Sequence, residues 1–361
     1  MLLRLTFLLL PLLFGSSILA WPGMAQPGTS PTIRYVKPGG SGDGRSWASA
    51  TNNLQHAINA VATAGGGQVW VAAGTYLPTQ TQTDRNAGFR MQNKVAIYGG
   101  FAGHETSLTE RPLIDPLMGH PSSTTLSGDI DGDGTPTGNS YHVFYHPNGT
   151  GLDHTAILDG FVITGGNAGD STGVNSDLGG GMYNHGSSPE LVNCLFVGNT
   201  AASAGGGMYN DYYANPSLIN CRFAANTAFA GGGMYNLSSC SPELLGCSFT
   251  ANTARLGGAM FNNTNASPGL TDCQFRANTA LAGGGLYNLN ACSPALVNCR
   301  FTDNAARGAA IASFFLSRPS LFHCTFRNNQ GNCTIFSDDT RSQATIDQVF
   351  GTIDQVSETI N

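Results

Sequence analysis

Between residues 179 and 330 the apolar positions fall in two short runs per cycle, and the cycle repeats about every 26 residues. In the first cycle Met182 and Tyr183 carry one run, and Leu191, Cys194 and Phe196 carry the other. Gly179-Gly180-Gly181, Pro189 and Asn199-Thr200-Ala201 punctuate them. The Cys-x-Phe step recurs at Cys194, Cys221, Cys247, Cys273, Cys299 and Cys324, so successive cysteines lie 27, 26, 26, 26 and 25 residues apart. Pro189, Pro216, Pro242, Pro268, Pro294 and Pro319 keep the same beat. Runs this short, broken by Gly, Pro or Asn-Thr, predict strands joined by tight corners. A fixed period in this range predicts a solenoid, in which each unit buries its apolar face only against its neighbours.

Equivalent residues then form columns along the stack. Cysteines in register sit ~4.8 Å apart, outside the Cβ separation a disulfide prefers. The six repeat cysteines therefore read as a buried thiol ladder, while the redox state of Cys240, Cys292 and Cys333 stays open. Asn184, Asn210, Asn236, Asn262 and Asn288 make one amide column, and Asn199, Asn226, Asn252, Asn278, Asn304 and Asn329 a second. Stacked amides bond along the column, so both read as structural. Strand alternation with Met182 and Asn184 inward points Tyr183 outward. Tyr183, Tyr209, Tyr235, Phe261 and Tyr287 are then an aromatic stripe. It is either an exposed platform for sugar rings or a protein partner, or a self-stacking ladder.

Leu191-x-x-Cys194-x-Phe196-x-x-Asn199 also overlays a leucine-rich repeat. That fold returns each unit through a helix or similar segment, and here the return path holds a Gly triplet and Ser-Pro or Asn-Pro pairs, both hostile to helix. The fold class expected is therefore all-β: a single-stranded right-handed parallel β-helix, a solenoid with an N-terminal α-helical cap.

The flanks read differently. Strands are expected at residues 33–36 and 68–71, with Leu54, Ile58 and Val61 at helical spacing between them in residues 50–64. Such a helix covers the open end of a solenoid. Less regular strands are expected at residues 95–98, 124–126, 142–145 and 157–164. The division is residues 1–25 as signal peptide, 26–91 as cap and first strands, 92–170 as irregular coils, 171–333 as regular repeats and 334–361 as tail or C-terminal cap.

Composition narrows the function. Charged residues are 11% of the chain, lysine occurs only at Lys37 and Lys94, and the formal net charge is −6. No clustered basic stripe exists for nucleic acid. Residues 1–4 are a positive n-region and 5–13 an apolar h-region, with cleavage expected after Ala25 or after Ala20. The apolar run falls short of the ~20 residues of a span, so export without a retained membrane segment is expected.

Two kinds of chemistry fit parts of the chain. Asp129, Asp131 and Asp133 alternate before Gly134, like the first half of an EF-hand-type loop, which makes calcium the candidate cofactor. The second half departs, since position twelve is Ser140 rather than a bidentate glutamate. The repeats themselves are poor in acids. Glu190 and Glu243 share a column two coils apart, ~9.6 Å by strand spacing, within the range of a hydrolase pair. Asp211, Asp272, Arg222 and Arg300 fall in other columns. No converged acid cluster is expected in the repeats; residues 95–167, with His142 and His154, are where one would hide.

Tyr35-Val36-Lys37, Asp43-Gly44-Arg45-Ser46-Trp47 and Val69-Trp70-Val71-Ala72-Ala73-Gly74-Thr75-Tyr76 resemble the opening of secreted bacterial β-helix proteins of the pectin-lyase-like superfamily. Tyr98-Gly99-Gly100-Phe101 and Leu158-Asp159-Gly160-Phe161 do likewise. Phe249-x-x-Asn252 followed by Gly257-Gly258-Ala259-Met260 resembles the repeat of chlamydial polymorphic outer-membrane proteins. The resemblance implies a β-helix, secreted or on the cell surface, on a scaffold that hosts many functions. Those outer-membrane proteins end in a membrane barrel, whereas no alternating ~10-residue segments follow the solenoid here, so release, or retention by a partner, is expected. The function expected is a non-catalytic, adhesin-like or structural role toward a polysaccharide or cell-surface ligand. The alternative is a polysaccharide lyase or hydrolase acting on acidic polysaccharide.

Overall fold

The computed structural model describes residues 31–112, 123–170, 173, 175–306, 310–331, 334–338, 342, 344–347, 350–351 and 356–358. The expected signal peptide, and Cys333, lie outside the described residues. Thr32–Asn361 form one compact unit. No helix among the described residues is long and apolar enough to cross a membrane.

Three long parallel sheets of eleven, nine and ten strands run the length of that unit, and each regular coil gives one strand to each. In the first regular coil these are Met182–His185, Glu190–Val192 and Leu195–Val197, followed by the short rung Thr200–Ala201. Strands pair in register with the next coil: Met182 with Met208, Leu191 with Leu218, Phe196 with Phe223. The 26-residue period is thus one turn of a β-helix. The stack goes on past the expected limit of the repeats. Ile335–Ser337 pairs with Ile311–Phe314 on one side and with Val356–Glu358 on the other, so backbone pairing outlives the sequence motif.

The core is a set of columns. Phe196, Phe223, Phe249, Phe275, Phe301 and Phe326 stack at 4.6–5.1 Å with planes within 10° of parallel. The leucine, methionine and cysteine columns complete one continuous cluster. Each ladder thiol points at a carbonyl of the preceding coil, Cys221 Sγ at Leu191 O (3.4 Å) and Cys299 Sγ at Leu270 O (3.3 Å). A weak S–H donor thereby adds a second contact to a strand carbonyl, which has two lone pairs. Cys240 and Cys292 alternate with Ala214 and Ala266 in another buried column, and both are free thiols.

Both asparagine ladders form. Asn184, Asn210, Asn236 and Asn262 each donate Nδ2 to the next Oδ1 at 2.9 Å. In the second ladder Asn226 Oδ1 accepts both the backbone N–H (3.0 Å) and Nδ2 (3.2 Å) of Asn199, while Asn226 Nδ2 donates to Phe196 O (2.9 Å). Buried corners would otherwise orphan these groups. Glycine is required where coils approach: a Cβ on Gly207 would lie 2.5 Å from Gly233 O, and Gly205 holds φ +66°.

The N-terminal helix α1 spans Leu54–Thr63 and buries Leu54, Ala57, Ile58 and Val61 against the first strands. Asn53 caps it by accepting the His56 N–H. It starts later than residue 50 because Thr51 bridges Val36 and Ser41 instead. The strand expected at 142–145 lies at Phe144–His146, and the one at 157–164 is two strands turned at Gly160 (φ +85°).

Candidate functional site

The aromatic column is in place but is not exposed. Tyr183, Tyr209, Tyr235, Phe261 and Tyr287 retain only 3–9% of their surface, which corrects the exposed stripe expected from alternation. They do point away from the main core. A further rung bridging Leu178, Ala204, Ala230, Leu256 and Ala282 covers them, and the two columns make a second apolar cluster. Successive rings stack at 4.9–5.4 Å. His142 and Tyr145 close one end of the column and Phe314 the other. Burial pushes the Tyr183 and Tyr209 hydroxyls far above the usual phenol range. The five residues form a self-stacking ladder, and no ring of it offers a face to a ligand.

Exposed aromatics lie one corner away. Tyr212 and Tyr213 are 58% and 63% exposed, and both hold left-handed backbone, φ +56° and +59°. Other coils fill these two places with Ser238 and Ser239, Thr264 and Asn265, Asn290 and Ala291, and then Phe315 and Leu316, all at positive φ. Asparagine tolerates that conformation; a bulky side chain there is a genuine outlier. His185 stacks on Tyr212 (5.1 Å, 3°), and Tyr213 meets Tyr212 edge-on (5.6 Å, 76°). Asp211 accepts the Tyr212 N–H at 2.6 Å and stands 3.8 Å from His185 Nδ1. From Tyr212 to Phe315 the corner crosses four coil spacings, ~19 Å, with hydroxyls and amides between aromatic ends. The pair stands in no repeat column of like residues, because its signal is a backbone conformation and not a residue pattern.

A polar cluster sits on the outer face of the eleven-stranded sheet. Arg111 Nη2 meets Asp159 Oδ2 at 2.7 Å with side chains only 13% and 12% exposed. Its guanidinium lies 5.4 Å from the Tyr98 ring centroid, and Asn193 Nδ2 donates to Asp159 Oδ1 at 3.1 Å. Glu190 pairs with Ile157, two residues before Asp159, and is 6% exposed. Burial, then the Asp159 charge, raises the Glu190 carboxyl above its usual range. Asp159 stands in the Leu158-Asp159-Gly160-Phe161 motif, but its partners come from segments 48 residues upstream and 31 downstream.

Of the other expected groups, Glu190 and Glu243 share the column through Ser217, yet Glu243 is exposed and its carboxylate lies over Gly269. Asp211 and Arg222 lie in different sheets. His154 is exposed. His142 is buried, its Nδ1 3.0 Å from Gly179 O, and burial lowers it to about 4. The three loop aspartates converge, with one ligand oxygen from each of Asp129, Asp131 and Asp133 within 4.8 Å of the others.

Residues 159–349 match a family model described as a right handed beta helix region. No curated protein matches the chain in sequence. Solved structures similar to it include pectate lyase Pel9A, at 13% identity over 89% of this chain and 78% of that one, with a TM-score of 0.47. ORF18 of Geobacillus virus E2 is 14% identical over 84% of this chain and 61% of that one, with a TM-score of 0.45. The A-module of the Azotobacter vinelandii mannuronan C-5 epimerase AlgE4 is 14% identical over 89% and 96%, with a TM-score of 0.34.

Proposed function

The chain belongs to the right-handed β-helix family, and from that premise we propose that it is a secreted or cell-surface, adhesin-like protein that binds an extended glycan without transforming it. The observation that carries this reading is the pair Tyr212 and Tyr213, bulky, exposed and held in left-handed backbone. Strain of this kind costs on the order of 1 kcal/mol or more per residue and persists where function demands it. The neighbouring coils turn the same corner with serine, threonine and asparagine, so the corner itself does not need tyrosine. An aromatic face stacks on a sugar ring, and hydroxyl and amide side chains along the next coils bond its hydroxyls. Probing a glycan array with the full chain and with Tyr212→Ser tests this. Binding to a defined polysaccharide class that the variant loses supports it; no binding by the wild-type chain sinks it.

A second reading rests on Asp159 and Glu190. Their environments differ, one carboxylate paired with Arg111 and the other raised by burial, and such inequality is what an acid and base pair requires. On this reading the protein cleaves an acidic polysaccharide from the outer face of the eleven-stranded sheet. Incubation with uronic-acid polysaccharides should then give new reducing ends or unsaturated products, absent with Glu190→Gln. Intact polymer with the wild-type chain rejects it.

A further inference from the structure

Among the described residues five buried side-chain nitrogen or oxygen atoms lack a hydrogen-bond partner, and three of them fall between residues 131 and 140: Asp131 Oδ1, Asn139 Oδ1 and Ser140 Oγ. Buried oxygens without partners are rare, and a site for an ion is one of the few causes. Ser140 has another explanation. Asn167 N donates to Ser140 O as Thr200 N does to Gly166 O and Thr227 N to Asn199 O. Ser140 therefore stands at the head of the second asparagine ladder and belongs to the coil, not to the loop.

Asn139 does belong to the loop. By the same register it occupies the corner place that Ala225, Ala251 and Ala277 fill in the regular coils, where all three are exposed. Asn139 is only 4% exposed, and the segment carrying the aspartates packs back onto this corner. A Cβ on Gly138 would lie 2.4 Å from Asp131 Oδ2, so the Asp131 carboxylate rests against the residue next to Asn139. The Asn139 amide is not free to turn over, because Nδ2 donates to Gly165 O at 2.7 Å. That bond fixes Oδ1 as the open acceptor. No ion pair among the described residues reaches the three aspartates. The nearby Arg85 gives its charge to Asp170 at 2.8 Å and only a hydrogen bond to Asn139 O.

We propose that residues 129–139 hold one calcium ion, bound by carboxylate oxygens of Asp129, Asp131 and Asp133 and by the side-chain oxygen of Asn139. An all-oxygen set with three carboxylates suits a hard divalent cation. A loop without strict octahedral demands favours Ca²⁺ over Mg²⁺. Asn139 thus supplies the oxygen that Ser140, twelfth in sequence from Asp129 but part of the coil, does not. The site shares no residue with the Tyr212 corner or with the cluster around Asp159.

Calorimetry of the full chain with CaCl₂ alone tests it. One ion per chain is expected, with a Kd no weaker than the ~10⁻³ M of extracellular modules. Asn139→Ala should weaken binding tenfold or more with an unchanged circular dichroism spectrum. Calcium should also slow proteolysis within residues 132–138. If Asn139→Ala does not fold, Asp133→Asn at the exposed rim must give the same weakening. No heat at about 10 mM Ca²⁺, equal affinity for Mg²⁺, or wild-type affinity in the folded variant would each overturn the proposal.

Discussion

His146 Nδ1 and Asn184 Oδ1 meet at 2.8 Å, with neither side chain exposed to solvent. The other ring nitrogen, Nε2, accepts the Met91 N–H at 3.2 Å. The imidazole is therefore neutral with its proton on Nδ1, and it heads the first asparagine ladder as a donor into the column. Burial lowers its pKa to about 4, as it does for His142.

Acid should consequently loosen the solenoid in a defined window. Both histidines titrate near 6.5 unfolded and about 4 folded, so between those values the unfolded chain binds more protons. Stability is full above pH 6.5 and falls as pH drops toward 4, by about 2 kcal/mol per histidine at about pH 5. Urea unfolding at several pH values checks this, and His146→Asn should flatten the profile by about half.

The second ladder should be costly to break. Asn226→Ala removes the acceptor of the Asn199 N–H and Nδ2 in a buried corner and takes one of two donors from Phe196 O. Each buried group left unpaired costs about 1–3 kcal/mol, so a loss of about 3 kcal/mol or more is expected in denaturant melts. Asn265→Ala, at an exposed corner, should cost little.

Thiol chemistry should be silent in the native state, because all eight described cysteines are buried with at most 1% of their surface exposed. Burial pushes the Cys221 thiol well up, and raises Cys240 to about 12 and Cys292 to about 11. Alkylation followed by peptide mapping should leave Cys194, Cys221, Cys247, Cys273, Cys299, Cys324, Cys240 and Cys292 unmodified until the protein is denatured. Cys247→Ala should cost about 1 kcal/mol, the scale of a small cavity.

Residues such as Phe223 and Asn226 are legible in the sequence, because stacking in register forces the same residue at the same place in every coil. The covering of Tyr209 is not legible: Ala204 and Ala230 keep the 26-residue period, but one small apolar residue before each glycine run does not show that its rung folds over the ring. Asp159 with Arg111, and Asp131 with Asn139, are joined by corners of irregular length. No period points from one partner to the other. Tyr212 carries its meaning in a backbone angle, which composition cannot express.

On the glycan-binding reading, the corner bearing Tyr212 and Tyr213 exists for a ligand rather than for the fold. Replacing both with asparagine, which suits left-handed backbone, separates the two roles. The melting temperature of the Tyr212→Asn/Tyr213→Asn chain should stay level or rise by a few degrees, since asparagine relieves part of a strain of about 1 kcal/mol per residue. Its affinity for the glycan bound by the wild-type chain should fall at least tenfold. A clear drop in melting temperature, or unchanged affinity, would contradict that role.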